Sequence, residues 1–100
     1  MLTLKITRTL GGAIDRLRNG WIIIDYRRRA RGSVSFFWYR QNQETVRIST
    51  SVMDMLLQSK LIYHRKDFTH AWWQVRKSYF PTDLALTIHL PPEEFWFEDD

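Results

Sequence analysis

The sequence predicts a small α+β domain built from two helices and β-hairpins. Three observations carry that expectation. Apolar residues fall at helical spacing in two short stretches, at Ile6, Leu10, Ile14 and Leu17 and again at Val52, Met55 and Leu56. Between and after them lie β-branched and aromatic runs bounded by polar turns. One hundred residues with 44% hydrophobic content suit one folded domain and exclude a fully disordered chain.

The first helix is expected to begin at about residue 4 or 7 and to run to residue 18. Gly11-Gly12 weighs against it, at roughly 2 kcal/mol relative to two alanines in a helix interior. Because Leu2, Leu4 and Ile6 also alternate, a short strand followed by a helix from Gly12 is the rival. Asn19-Gly20 suits the helix end, since both residues tolerate a left-handed backbone.

Trp21–Tyr26 and Val34–Arg40 read as the strands of a hairpin whose tip holds Arg27, Arg28, Arg29 and Arg31. Gln41-Asn42-Gln43-Glu44 is a second turn and Thr45–Ile48 a third strand, giving a three-stranded meander. Ser49-Thr50-Ser51 then opens the second helix, with Ser51 and Asp54 spaced like a capping box, and the helix should end near Ser59-Lys60. Leu61–Lys66 and Ala71–Lys77 read as strands around the turn Asp67–His70, and Tyr79-Phe80-Pro81 breaks the pattern. Leu84, Leu86, Ile88 and Leu90 alternate with polar or small residues, which predicts a final half-buried strand, with a short helix capped by Thr82 as the alternative. There is no internal repeat and no long linker.

Charge divides the chain more sharply than hydropathy does. Residues 1–92 hold all 15 Lys and Arg and six of the 11 acids, a net +9, whereas residues 93–100 hold five acids and no base, a net −5. Pro91-Pro92 marks the junction, so the expected organisation is a domain over 1–92 and an acidic, aromatic tail over 93–100.

The absence of cysteine excludes disulfides and thiolate zinc sites. The longest aliphatic run, Trp21–Ile24, is far too short to span a membrane, and no apolar signal-peptide core opens the chain, so a cytoplasmic protein is expected.

Residues 46–86 resemble the second half of a winged helix-turn-helix domain. The resemblance rests on Arg47-Ile48-Ser49, a short helix to Leu57, then Ser59-Lys60-Leu61-Ile62, a hairpin, and Tyr79-Phe80-Pro81-Thr82-Asp83-Leu84-Ala85. A first helix leading straight from Asn19-Gly20 into a strand is similar to small winged-helix proteins of mobile elements. The resemblance implies a winged-helix-like fold and regulatory DNA binding. The chain departs from the pattern in placing the Trp21–Ile48 β region between its helices. The helix Thr50–Ser59 also has no Arg or Lys with which to read guanines or phosphates.

The basic clusters therefore become the candidate nucleic-acid contacts. Arg27, Arg28, Arg29 and Arg31 crowd one hairpin tip, where guanidiniums are best accommodated by phosphates. The bland alternative is a solvated turn with arginine stems lying over aromatic strands. Arg65, Lys66, Arg76 and Lys77 form a second set, near His64 and His70, with edge-strand protection as its bland alternative.

Phe36, Phe37, Trp38, Tyr39, Trp72, Trp73, Tyr79 and Phe80 suit a core first and base stacking second. Strand alternation forbids Phe36/Trp38 and Phe37/Tyr39 from sharing one face, so something must cover the second face. An exposed aromatic face for a protein partner is a third possibility.

No cofactor, metal or enzymatic activity is expected. His64, His70 and His89 match no ligand spacing, and the body has no nucleophile motif, phosphate-cradling glycine loop or carboxylate pair. The aspartates at 15, 25, 54, 67 and 83 are scattered singly.

The tail residues Phe95, Trp96, Phe97 and Glu98 are the candidate partner-binding set. They could serve as a linear motif for another protein, fold back on the basic body, swap in a homodimer, or complete a sheet through Phe95 and Phe97. Nucleic-acid binding is the leading expectation. The alternative is a protein-interaction module, such as a phage or mobile-element inhibitor or adaptor docking on a larger nucleic-acid machine.

Overall fold

The computed structural model describes residues 5–27, 34–40, 45–65 and 75–99, with the side chains at 26, 27, 34, 35 and 75–77 outside that description. The elements run α1 (Arg8–Arg18), β1 (Ile22–Arg27), β2 (Val34–Tyr39), β3 (Val46–Ile48), α2 (Thr50–Gln58), β4 (Ile62–His64), β5 (Val75–Pro81) and α3 (Asp83–Thr87), followed by a single 3-10 turn at Glu93–Phe95. The strands form one antiparallel sheet in the order β3-β2-β1-β5-β4. The expected meander is its β1-β2-β3 half, and α2 links the two edge strands.

Alternation assigns each strand residue to a face. Ile23 pairs with Trp38 on one side and Tyr79 on the other, while Phe36 pairs with Ile48. Ile23, Trp38, Tyr79 and Ile48 join Leu10, Ala13, Ile14 and Leu17 of α1, Met53 and Leu56 of α2, and Ala85 of α3 in one buried cluster, against which Phe36 packs. Ile24 is equally buried but lies outside that cluster, on the opposite face. β1 is thus buried on both sides, which accounts for its unbroken Ile22-Ile23-Ile24 run.

α1 takes the helical reading of its sequence, with Gly11 and Gly12 inside it. Gly11 is required by packing: a Cβ there would stand 2.6–2.8 Å from three atoms of the Trp96 indole. The helix ends in a Schellman arrangement, in which Trp21 N–H donates to the Arg16 carbonyl and Gly20 adopts φ +88°. α2 ends the same way, with Leu61 N–H donating to the Leu56 carbonyl, but here Lys60 takes the left-handed position at φ 57°.

Three expectations need correction. Among the described residues there are three α-helices where the sequence predicted two, because residues 83–87 form the short Thr82-capped helix that was the alternative to a final strand. The Thr82 hydroxyl accepts from Ala85 N–H and donates to the Lys60 carbonyl, so the side chain that caps α3 also ties it to the end of α2. Ala85 is buried while Leu84 and Leu86 are exposed, the reverse of the strand alternation.

The second correction is that Tyr79-Phe80-Pro81 continues β5 instead of interrupting it. Proline is tolerated because it ends the strand, opposite Ile62 of the edge strand β4. The third is the cap of α2. It is Ser49, whose hydroxyl accepts from Val52 N–H, and not Ser51.

Candidate nucleic-acid interface

The C-terminal segment lies against α1. Phe97 forms a parallel bridge with Thr7: its N–H donates to the Ile6 carbonyl and its carbonyl accepts from Arg8 N–H, both at 2.9 Å. The Asp99 carboxylate accepts from Thr9 N–H at 3.1 Å and from the Thr9 hydroxyl. The Thr7 hydroxyl accepts from Leu10 N–H.

The first three N–H groups of α1 are therefore all satisfied, two of them by residues about ninety positions away. α1 has no acid in its own first turn, so Asp99 supplies the negative charge that a helix start favours. The same hydrogen bonds from Thr9 hold the Asp99 carboxyl below the usual carboxylate range. The complementary arrangement occurs at α3, where Arg18 of α1 donates to the carbonyls of Ala85 and Ile88.

The four candidate partner-binding residues have different surroundings. Trp96 packs against the core and donates its indole N–H to the Pro91 carbonyl at 2.9 Å. Glu98 accepts from Arg8 Nε at 2.7 Å, with Glu93 3.9 Å from the same guanidinium. Phe95 and Phe97 are 66% and 56% exposed, and the Lys5 ammonium stands 4.9 Å from the Phe97 ring centre.

A cleft of about 460 Å³ opens beside this segment, between α1 and the β3–α2 junction. Its walls are Arg8, Thr9, Gly12, Ala13 and Arg16 on one side and Val46, Arg47, Ile48, Ser49 and Val52 on the other, with Trp38 between them. The lining contains three arginines and no acid. The Arg16 guanidinium is 5.5 Å from the Trp21 ring centre and 5.7 Å from that of Trp38, so its charge is held in place by aromatic faces. Gly12 leaves open space where a side chain would intrude.

The basic clusters legible in the sequence lie mostly outside the described residues. Arg27 ends β1, and Arg76 and Lys77 lie in β5, but their side chains are outside the described residues. Arg28, Arg29, Arg31 and Lys66 are wholly outside them, as are His70, Trp72 and Trp73. Arg65 follows β4, with its guanidinium 4.9 Å from the Phe80 ring centre. Among the described residues no group of three His, Cys, Asp or Glu is placed to hold a metal. No described helix is long and apolar enough to cross a membrane.

Arg8, Arg16 and Arg47 were not singled out by the sequence, because they stand far apart along the chain. A partial signal was present: residues 8, 12 and 16 recur every four positions and so share one helix face.

The aromatic residues separate as alternation requires. Trp38 and Tyr79 are buried on the helix side, and Phe36 packs edge-on against Tyr79 with ring centres 6.4 Å apart. Burial, joined by the nearby carboxylate of Asp25, pushes the Tyr79 phenol pKa up. Phe37 and Tyr39 lie on the other face with Ile24, and Phe80 pairs there with Tyr63. The chain matches no protein-family model, and no curated protein and no solved structure matches it.

Proposed function

We propose that the protein is a small basic nucleic-acid-binding protein that contacts backbone phosphates, in a regulatory role on DNA. The observation that carries this reading is the cleft lined by Arg16 and Arg47, together with Arg8, whose guanidinium is shared with Glu98, and with no acid in the lining itself. Arginine forks bind phosphate oxygens in pairs, and a cluster of them gains affinity by releasing condensed counterions from the nucleic acid. The +9 charge of residues 1–92 extends the same preference over the body. In this reading the β1–β2 hairpin carries Arg27, Arg28, Arg29 and Arg31 toward the same kind of ligand. The β4–β5 pair that follows α2 serves as the wing of a winged-helix-like arrangement.

The test is a salt titration of binding to mixed-sequence DNA. Affinity should fall steeply with salt, and Arg16→Ala with Arg47→Ala should each reduce the slope by about one. Absence of binding at ~50 mM salt, where phosphate contacts dominate, overturns the reading.

A second reading draws on the exposed Phe95 and Phe97 rings, set among acids. They would form a docking motif for a basic, apolar groove on a partner protein, as expected of an inhibitor or adaptor. Phe95→Ala together with Phe97→Ala should then abolish partner capture and leave thermal stability nearly unchanged. Equal capture by that double variant excludes it.

A further inference from the structure

We infer that the docked acidic segment is a built-in competitor for phosphate at the arginine cleft. Glu98 and Glu93 hold Arg8, and a nucleic acid must displace them to use that guanidinium. The inference rests on the nucleic-acid reading above and adds a self-inhibiting contact to it.

The segment is placed by contacts that do not depend on its charge. Phe97 makes two backbone hydrogen bonds to the start of α1, to the Ile6 carbonyl and from Arg8 N–H. Trp96 packs on the core with its indole against Gly11. These anchors bring the next two residues, Glu98 and Asp99, to Arg8 and Thr9. Arg8 and Thr9 also line the cleft, so the acids engage its wall although none of them belongs to the lining.

The three cleft arginines therefore differ in what they offer. Arg8 Nε donates to Glu98 at 2.7 Å, and Glu93 stands 3.9 Å from the same guanidinium. Among the described residues no carboxylate pairs with Arg16 or Arg47. Arg16 lies over the Trp21 and Trp38 rings, which position its charge without neutralising it. A carboxylate presents two oxygens to a guanidinium as a phosphate does, so Glu98 and a phosphate compete for the same N–H groups. The competitor is displaceable: the Glu98 side chain is 79% exposed and that of Arg8 46%. A pair so exposed shifts an equilibrium by no more than about 5-fold, and salt screens it. Arg16 and Arg47 are thus offered at once, whereas Arg8 is yielded only to a ligand that outcompetes Glu98.

The experiment measures binding of the full chain to a fluorescent mixed-sequence DNA duplex across a salt series, with and without Glu93→Gln and Glu98→Gln together. Glutamine keeps the size of each side chain and removes its charge, and Asp99 stays in place at Thr9. The double variant should bind about 3-fold or more tightly at ~50 mM salt, and its salt slope should steepen by about 0.9, one added phosphate contact. Arg8→Ala should cost more affinity in the double variant than in the wild type, because only there is Arg8 free of its acids. Circular dichroism and thermal melting check folding; if the double variant melts early, Glu98→Gln alone carries the test, with the same direction expected. Unchanged affinity and slope, with the wild type still binding, overturn this inference and leave phosphate binding intact. Tightening of the same size when Arg8→Ala is present reflects bulk charge and also overturns it, as does weaker binding by the folded variant. Failure of every protein to bind at ~50 mM salt overturns both readings together.

Discussion

The two faces of the sheet bury the same central strand by different means. On the helix side, Ile23 sits beneath α1, α2 and α3 in a cluster of aliphatic side chains. On the other side, Ile24 lies between Phe37 and Ser78 in register, flanked by rings that keep part of their surface in solvent. Equal burial of neighbouring residues therefore does not imply equal roles. One face is enclosed by helices, whereas among the described residues the other has no helix over it and passes from the buried Ile24 and Ser78 to Tyr63 at an exposed edge.

Replacing Ile23 with Ala tests the first half of that comparison and carries the largest expected effect. Ile23 is fully buried, so truncation should cost about 2–5 kcal/mol, from lost transfer energy and the cavity left behind. Tyr63→Ala, on the opposite face, should stay within about 0.5 kcal/mol of wild type, as exposed substitutions do. Denaturant unfolding with unchanged m-values measures both. Similar losses at the two positions would break the distinction between a buried sheet centre and its exposed edge.

Part of this contrast was legible in the sequence. Strand alternation alone separated Phe36 and Trp38 from Phe37 and Tyr39 and required both faces to be considered. The helix over Arg8–Arg18 was legible from its 3.6-residue period despite Gly11-Gly12. α3 was hidden because Leu84, Leu86, Ile88 and Leu90 repeat every two residues. What decides the matter is tertiary: Ala85 is small enough to be fully buried in the core cluster that includes α1, and Arg18 donates to the carbonyls of Ala85 and Ile88. The arginine cleft was hidden for a similar reason. Sequence clustering identifies charges that are local, such as Arg27–Arg31, whereas Arg8, Arg16 and Arg47 are assembled by packing.

Gly11 and Gly12 sharpen the comparison on a smaller scale, because adjacent residues of α1 face different surroundings. Gly11→Ala should destabilise by about 1–3 kcal/mol. Its methyl group would overlap the Trp96 ring, which is held by the Pro91 carbonyl and cannot easily retreat. The gain in helix propensity, about 1 kcal/mol, opposes this cost without cancelling it. Gly12→Ala meets nothing within 4 Å and keeps that gain, so it should stabilise by up to about 1 kcal/mol. Melting temperatures of the two variants should therefore move in opposite directions. Two shifts of the same sign would show that Trp96 does not rest on α1.

The smallest effect concerns acid sensitivity, and it separates the docked C-terminal segment from the sheet. Asp99 accepts hydrogen bonds from Thr9 and lies near Arg8, so its carboxyl titrates lower in the folded chain than in the unfolded one. A depressed carboxyl pKa stabilises the fold above the unfolded value of about 3.9. That contribution is lost as pH falls through the folded value. Melting temperature should therefore decline as pH falls below about 4, and Asp99→Asn should flatten part of that decline. The group is solvent-exposed, so the change should be smaller than that of Gly11→Ala and should shrink further at high salt. Neither Ile23→Ala nor Tyr63→Ala should alter the shape of this acid limb, since neither residue touches the α1 start. An acid limb identical in wild type and Asp99→Asn would mean that the carboxylate does not hold the helix end.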